Sequence, residues 1–283
     1  TTLFRSKLAS YLYFNFDGGG LTDNSFESLE YYLKKRLKLK ERLYEKIGAP
    51  PVDRIRTKLP YPMMSLNKVK PNTPELFKFL NNSNKVQWSL KLDGVSALAV
   101  YNNGILQNIY TRGDGTIGGD VSYLKDHIKI PQKLENTGVL KDNKTVIIRG
   151  ELILTKSDWI NFKDLYSNAR SFVSAKVNSG YISFGLESIN FVAYEIIKPN
   201  IEPEKTFKIL ELIGFTIPAW GLFDNPTTYD LIEEYKTQRE AAIYDIDGLV
   251  LDNLITEKIG YANPTNKIAF KMALEGQIRK TKL

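Results

Sequence analysis

The chain has no cysteine and a single histidine, His127, among its 283 residues. Without thiols, disulfide bonds and thiol catalysis are excluded, and the usual cysteine and histidine ligand sets for zinc cannot be assembled. No apolar run approaches the roughly 18 residues of a membrane span, and no charged and then apolar leader precedes a cleavage site. We therefore expect a soluble intracellular protein, cytoplasmic or nucleoid-associated, that does not bind membranes.

Positive charge is what the chain has in excess. The formal net charge is +7 and the pI is near 9.2, which favours a polyanionic partner such as nucleic acid. The segment Lys34–Lys46 contributes much of this charge. It is typical either of a solvated helix that buries Leu37, Leu39 and Leu43, or of a helix that contacts phosphates. The sequence alone does not separate these two interpretations.

The stretch Trp88–Tyr110 combines a polar motif with two apolar runs. Val95–Tyr101 and Ile105–Tyr110 are rich in β-branched and aromatic residues, and Asn102–Gly104 between them tolerates positive φ, so the pattern predicts a hairpin. Immediately before the hairpin the chain reads Lys91–Gly94, a lysine followed two residues later by aspartate and then glycine. The lysine is therefore expected beside a rigid platform.

The amine of Lys91 is a candidate nucleophile. A lysine amine is a poor nucleophile at its ordinary pKa of about 10.4 and is activated by desolvation or by nearby positive charge. Asp93 alone would have the opposite effect, so cations from elsewhere in the chain are needed, and Arg112 and Lys271 are the candidates. Taken alone, the four-residue motif is more typical of a solvated lysine beside a turn.

The lysine motif belongs to a series of motifs that stand in a recognisable order along the chain. These segments are Pro62–Val69, Lys91–Gly104, Thr111–Ser122, Ile148–Leu154, Ile246–Asp252 and Pro264–Met272. In order and approximate spacing they resemble the nucleotidyltransferase motifs of bacterial-type NAD-dependent DNA ligases. Tyr11–Leu29 is similar to the small N-terminal domain that distinguishes that family and binds nicotinamide mononucleotide. The lysine motif alone would also fit ATP-dependent ligases, RNA ligases and capping enzymes.

The resemblance implies a fold and a division into domains. It implies an α+β ligase-type nucleotidyltransferase domain, in which two antiparallel sheets carry flanking helices, preceded by a small helical domain. The mixed order of strands and helices along the chain agrees with this class. The expected boundaries are a nicotinamide mononucleotide-binding domain at residues 1–47, a linker at 48–61 and an adenylation domain at 62–283.

The resemblance also implies a reaction. Lys91 would attack the α-phosphate of NAD, release nicotinamide mononucleotide and retain AMP, which then passes to the 5′-phosphate of nicked double-stranded DNA. Mg²⁺ would assist, with ligands that the sequence does not identify. The residues that carry over as catalytic are Lys91, Asp93 and Lys271. The residues that carry over as nucleotide-binding are Tyr13, Asp23, Ser65, Leu66, Ser89, Arg112, Glu151, Arg170, Tyr194, Arg239, Asp247 and Lys271.

Individual roles follow from the same resemblance. Glu151 would bind the adenosine ribose, and a carboxylate suits this task because it accepts hydrogen bonds from both hydroxyls. Tyr194 would stack on adenine, Lys271 would contact the α-phosphate, and Asp247 would help a divalent cation to offset phosphate charge. As an alternative, the strand alternation allows Glu151 simply to pair with Arg149.

Three positions depart from the family pattern. Ser89 replaces a glutamate that recognises the adenine amino group, Gly119 replaces an acidic residue, and Asp252 replaces a lysine near the phosphate. If Asp252 points inward, this exchange of a cation for an anion should be costly. Two explanations stay open, a divergent viral or phage-like enzyme and a catalytically degraded nucleic-acid-binding or assembly module. A nucleotidyltransferase that uses ATP or GTP is a further alternative.

The family ligases continue beyond the adenylation domain into an OB-fold, a zinc finger, a helix-hairpin-helix unit and a BRCT domain. The sequence given stops soon after Lys271, at Leu283. We therefore expect such domains, if this chain works with them, on another chain or beyond the sequence given.

Overall fold

The computed structural model describes residues 56–135 and 143–272. The expected domain at residues 1–47, with Tyr13, Asp23 and the basic segment Lys34–Lys46, lies outside the described residues. The described part is a mixed α+β structure built from antiparallel sheets with flanking helices, which is the predicted class.

Eleven strands and five α-helices make up the described residues. The strands are β1 Arg56–Lys58, β2 Asn67–Val69, β3 Lys85–Leu92, β4 Val95–Asn102, β5 Ile105–Thr111, β6 Ile117–Gly119, β7 Thr145–Ile153, β8 Asn190–Lys198, β9 Trp220–Asp224, β10 Ile246–Asp252 and β11 Lys267–Phe270. The helices are α1 Pro74–Asn81, α2 Lys156–Trp159, α3 Ala169–Asn178, α4 Thr206–Leu212 and α5 Thr228–Ala241.

The first sheet has five strands in the order β2-β11-β10-β3-β9. All its pairs are antiparallel except β2 with β11, which run parallel at one edge. The register places Lys91 of β3 opposite Gly248 of β10, and Gln87 opposite Asp252. Asp252 in turn lies opposite Lys267 of β11. This register decides which side chains share the cleft.

The second sheet has four antiparallel strands in the order β5-β4-β7-β8. The predicted hairpin is confirmed, because β4 pairs with β5 and the connection passes through Asn103 at φ 49° and Gly104 at φ 78°. The neighbouring pair β4–β7 places Ser96 opposite Glu151. A further two-stranded sheet joins β1 to β6, so the described part of the expected linker contains a strand.

Each large sheet packs one face against helices and turns the other towards its neighbour. Trp88 and Leu90 of β3 are buried together with Leu76 of α1 and Leu231 of α5. Because side chains alternate along a strand, Lys91, Ser89 and Gln87 point to the opposite face of the sheet. The second sheet packs against α3 and α4 in a separate core cluster. The two remaining faces bound the cleft that holds the candidate site.

One helix prediction is wrong. The sequence pattern predicts a kinked helix over Thr155–Asn178, whereas the structure has the four-residue α2 and the separate α3. Asn168 is extended at φ −160°, and its side chain accepts a hydrogen bond from the Ser171 N–H. An asparagine in this conformation caps a new helix and ends the preceding segment, so two helices form.

Candidate active site

Lys91, Asp247 and Lys271 form the centre of the cleft. Lys91 Nζ lies 2.8 Å from Asp247 Oδ1, and Lys271 Nζ lies 2.8 Å from Asp247 Oδ2. The strands β3, β10 and β11 are adjacent, and the β10 register shifts between Ile246 and Gly248, beside Asp247. Lys271 follows β11 directly, and its N–H donates to the Val69 carbonyl. Adjacent strands therefore bring the two lysines to one carboxylate.

The charge of this centre favours an anion. Burial alone would raise the pKa of Asp247, but the Lys91 and Lys271 ammonium groups outweigh burial and hold that pKa below its ordinary value. Two cations and one anion leave a net positive charge. Lys271 is thus the neighbouring cation that the sequence required for Lys91. Arg112, the other candidate, instead donates to Ser65 Oγ at 3.2 Å.

Asp93 lies beside the centre and is engaged by an arginine. Arg170 Nη1 donates to Asp93 Oδ1 at 2.7 Å, and the Asp93 N–H donates to the Asp245 carbonyl. Arg170 lies in the first turn of α3, which Asn168 caps, so the new helix start is what aims this guanidinium into the cleft. The structure therefore brings two predicted site residues together.

A second polar group lines the facing sheet. Ser96 Oγ donates to Glu151 Oε2 at 2.8 Å, and the Tyr194 hydroxyl lies 3.2 Å from Ser96 Oγ and 3.4 Å from Glu151 Oε2. Burial raises the pKa of Glu151, and burial together with the Glu151 charge raises the pKa of Tyr194 to about 12. Glu151 is therefore a buried acceptor held by hydroxyl groups.

The alternative pairing of Glu151 with Arg149 is not what forms. The Arg149 guanidinium lies 3.6 Å from Glu195, donates to the Met64 carbonyl at 2.9 Å and lies 5.9 Å from the Tyr194 ring centre. Glu151 keeps the hydroxyl partners instead.

Arg112 is enclosed by the cleft walls. Burial, followed by the positive charges of Arg149 and Arg170, lowers the pKa of Arg112 to about 10. A guanidinium stays charged at such a value and is strengthened as a partner for a phosphate or hydroxyl by its low-dielectric surroundings. Its contact with Ser65 ties the segment before β2, which also contains the half-buried Leu66, to this wall.

The structure corrects the expectation for Asp252. Its register places it opposite Gln87, four residues along β3 from Lys91, so it lies at the far end of the cleft from the lysine pair. Asp252 does point inward and is 7% exposed. Lys267 Nζ lies 3.5 Å from Oδ2 and the Leu254 N–H donates to Oδ1 at 2.8 Å. These contacts offset the exchange only in part, because burial outweighs them and raises the pKa of Asp252.

Sequence reasoning missed several residues of the cleft. They are Gln87, Ser96, Glu195 and Lys267. Strand alternation from Lys91 through the buried Ser89 to Gln87 was the one signal that could have indicated Gln87. The others depend on which strands pair.

Arg239 is not brought to the cleft by any contact within the described residues. It lies on α5, is exposed, and donates to the Tyr235 hydroxyl of its own helix at 2.8 Å. Helix α5 packs on the face of the first sheet opposite the cleft. The prediction that Arg239 binds nucleotide therefore finds no support in this geometry.

Residues 56–135 and 143–272 contain neither a metal-binding cluster nor a membrane-spanning helix. No group of three or more histidine, aspartate or glutamate side chains there could hold a metal ion. No helix in those ranges is long and apolar enough to cross a membrane. The suggestion that Asp247 holds a divalent cation is also disfavoured by the two ammonium groups that contact both of its oxygens.

The fold and the lysine-centred cleft define a ligase-type nucleotidyltransferase domain. The family model described as NAD-dependent DNA ligase adenylation domain matches residues 58–275, and the chain belongs to this family. The DNA ligase of Acanthamoeba polyphaga mimivirus is 31% identical over 270 residues, covering 93% of this chain and 41% of the relative. A DNA ligase of Leptospira interrogans (strain Fiocruz L1-130) is 28% identical over 231 residues, covering 75% of this chain and 33% of the relative.

Solved structures show a more distant likeness. The ATP-dependent DNA ligase of bacteriophage T7 in complex with ATP is 14% identical with a TM-score of 0.45, covering 72% of this chain and 67% of that one. The chain spans about two fifths or less of the length of the two curated relatives.

Proposed function

We propose that this chain transfers AMP from NAD to Lys91, the first step of DNA ligation. The observation that carries the proposal is the contact of Lys91 and Lys271 with the two oxygens of Asp247. A nucleophilic amine, a second cation and a carboxylate within hydrogen-bond reach are the groups that an attack on a phosphate requires. Membership of the NAD-dependent family supports NAD as the donor.

The bonds of this step balance without a further reactant. Lys91 Nζ forms a bond to the α-phosphorus of NAD, the bond from that phosphorus to the bridging oxygen breaks, and nicotinamide mononucleotide leaves with its phosphate. Lys91 meets Asp247 as an ammonium group, so it must lose one proton before the attack and a second as the amine becomes a phosphoramidate. Asp247 is the base in contact with it, and both protons pass to solvent. Lys271 would stabilise the negative charge that builds on the phosphate oxygens.

The facing sheet would hold the adenosine. Glu151, fixed by Ser96, would accept hydrogen bonds from the ribose hydroxyls, and the Tyr194 ring would stack on the base. Arg112 and Arg170 would add positive charge around the nucleotide, because the charges of both act on the Glu151 carboxylate. These assignments rest on the contacts described above and on the family resemblance.

We also propose that Mg²⁺ takes part, but without a binding site made of protein groups alone. The described residues do not form an all-protein metal cage. Mg²⁺ retains several waters and is commonly held by one or two carboxylates together with phosphate groups. A Mg²⁺ ion would therefore be held chiefly through phosphate oxygens and water, where it would supply positive charge.

The later steps concern DNA and more of the protein. We propose that AMP passes from Lys91 to the 5′-phosphate of nicked double-stranded DNA, in line with the name DNA ligase carried by the relatives. The net charge of +7 suits such a partner. Because the chain spans about two fifths of the mimivirus relative, sealing is expected to need further domains such as the OB-fold and helix-hairpin-helix units.

Intact mass spectrometry of the full chain tests the proposal. After incubation with NAD and Mg²⁺ the chain should gain about 329 Da, the mass of one AMP residue covalently added to the nucleophile. Lys91→Ala should gain nothing, whereas Lys85→Ala, which changes an exposed lysine of the same strand, should be labelled like the unaltered chain. ATP in place of NAD should give no adduct.

Two results would overturn this function. Labelling that persists in Lys91→Ala would assign the nucleophile to another residue. A folded chain that takes AMP from neither NAD nor ATP would instead favour a ligase-shaped nucleic-acid-binding module.

A further inference from the structure

A polar row crosses the cleft face of the first sheet at the end away from Lys91. Gln87, Asp252 and Lys267 lie opposite one another on β3, β10 and β11, and we refer to these three residues as the polar row. Their chain neighbours Trp88 and Leu251 are buried in the hydrophobic core on the opposite face. The polar row therefore faces the cleft.

The Gln87 side chain in this row has an unused donor. Gln87 is 4% exposed, and its Nε2 has no hydrogen-bond partner among the described residues. Buried amide groups are nearly always hydrogen-bonded, because an unpaired one loses its hydration without compensation. A buried donor that faces a cleft indicates an acceptor on whatever molecule fills it.

Asp252 supplies an acceptor next to this donor. It is 7% exposed, contacts Lys267 through Oδ2 and receives one backbone N–H through Oδ1. A carboxylate has about four acceptor positions, so capacity for a further donor remains. Lys267 is itself fixed by Glu195 of the facing sheet at 2.7 Å, which holds the carboxylate and its charge in place.

The row lies where the base of a lysine-bound nucleotide would reach. Gln87 is four residues from Lys91 along β3, which corresponds to roughly 13 Å. Tyr194, the ring available for stacking, immediately precedes Glu195 in β8, and Glu195 contacts Lys267. Between Lys91 and Gln87 on this face stands only the small side chain of Ser89. A nucleotide attached through its phosphate would therefore extend over Ser89 towards the row.

We propose that Gln87 and Asp252 recognise the Watson–Crick edge of adenine, with Nε2 donating to N1 and the carboxylate accepting from the 6-amino group. Lys267 is a positioning residue that acts through Asp252. This inference rests on the proposed function, because it assumes that an adenine nucleotide occupies the cleft. Base recognition is thus assigned to Gln87, which lies two residues from Ser89 on the same face of β3, and to Asp252 opposite it.

The proposed contacts of Gln87 and Asp252 with adenine should make the site discriminate against other purines. In the hypoxanthine analogue of NAD, N1 carries a hydrogen and position 6 carries a carbonyl oxygen. The Asp252 carboxylate would then face an acceptor, and the Gln87 amide would have to turn over to accept from N1. Sites built from buried hydrogen-bonding groups reject a mismatched analogue strongly. The unaltered row should therefore favour NAD over its hypoxanthine analogue by about 100-fold.

Equilibrium binding in a Lys91→Ala background tests this without any reaction. Titration calorimetry gives the Kd of NAD and of the hypoxanthine analogue for three additional variants. Asp252→Asn, whose amide can donate to the carbonyl oxygen, should lower the preference for NAD at least about 10-fold. Gln87→Met, which removes the donor at similar size, should shift the preference in the same direction. Asp224→Asn, an exposed aspartate of the same sheet, should leave it unchanged.

The outcomes separate this inference from the proposed function. If Asp252→Asn and Gln87→Met weaken both dinucleotides equally or leave the ratio unchanged, the row is structural and the inference is wrong. Circular dichroism identifies a variant that fails to fold, and the other variant then decides. If binding is weak, the same substitutions in chains that retain Lys91 give the preference as the ratio of the initial rates of AMP and IMP attachment. A chain that is labelled by NAD but keeps its ratio in both variants overturns only this inference.

Discussion

At the scale of single residues, the centre of the candidate active site is one carboxylate that contacts two lysines. Asp247 contacts Lys91 and Lys271 at the same distance, 2.8 Å. Asp247 neutralises only one of the two positive charges. Lys271 would therefore contribute charge to phosphate binding as well as to the surroundings of Lys91.

Replacing Lys271 by methionine tests this contribution. We expect the rate of AMP attachment from NAD to fall by about 100-fold, because one preorganised charge at the phosphate is lost. Lys271→Arg should recover part of the rate, since it keeps the charge with a different geometry. Lys258→Met, which alters an exposed lysine, is the matched control. Quench-flow or timed mass spectrometry measures the rates, and an unchanged rate in Lys271→Met would refute the role.

At the scale of secondary-structure elements, the joint between β3 and β4 packs tightly against β7. A Cβ added to Gly94 would clash with the Leu152 carbonyl oxygen and would lie 2.8 Å from Glu151 Cγ. A side chain larger than hydrogen would push the lysine strand and the Glu151 strand apart. The glycine of the lysine motif is thus required by packing between the two halves of the cleft.

Gly94→Ala should accordingly destabilise the chain by about 2–4 kcal/mol, the effect of overpacking against rigid backbone. Gly104→Ala is the comparison, because its added Cβ would meet nothing within 4 Å although φ is +78°. It should cost only about 1 kcal/mol, from the left-handed backbone conformation. Urea unfolding gives both values, and equal losses for the two variants would contradict the packing explanation.

Local sequence patterns predicted the elements better than their pairing. The hairpin from β4 to β5 carries its own turn signal, and it formed as expected. The division between α2 and α3 was missed, because it depends on a single asparagine cap that a continuous polar segment conceals.

The candidate site shows the same limit. Lys91 and Lys271 were identified from their motifs, and the structure places both beside Asp247. Lys267 and Glu195 could not be found, because their proximity arises only when β11 meets β10 and the facing sheet approaches. The register between β10 and β11 likewise determines that Lys267 lies opposite Asp252.

At the scale of the whole molecule, ionic contacts connect the two sheets across the cleft. Glu195 of the second sheet lies 2.7 Å from Lys267 of the first and 3.6 Å from Arg149 of its own sheet. Burial opposes the charge of Glu195, but Lys267 and then Arg149 outweigh it and hold its pKa below the ordinary value. The folded state therefore prefers the ionised carboxylate.

The ion pairs of Glu195 make the free energy of unfolding depend on pH. A depressed pKa in the folded state contributes stability that is present above the ordinary glutamate pKa of 4.5 and is lost as the pH falls through the folded value. Glu195→Gln should lower the free energy of unfolding by about 2 kcal/mol at pH 7, and the difference from the unaltered chain should shrink below pH 4.5.

Glu233→Gln is the control for Glu195→Gln. Glu233 forms an exposed pair with Lys236 on α5. Exposed pairs of this kind contribute roughly 0.2–1 kcal/mol at most. Chemical denaturation between pH 3 and pH 7 measures both variants, and a pH-independent loss in Glu195→Gln would rule out the ionic explanation.

The parallel pair of β2 and β11 sets an order of events during synthesis on the ribosome. Strand β11 lies between β2 and β10, so the edge of β10 stays unpaired until residues 267–271 have emerged. A nascent chain that has made only the earlier motifs holds the nucleophile without its second cation. We therefore expect transfer of AMP to Lys91 to begin only after β11 has joined the sheet.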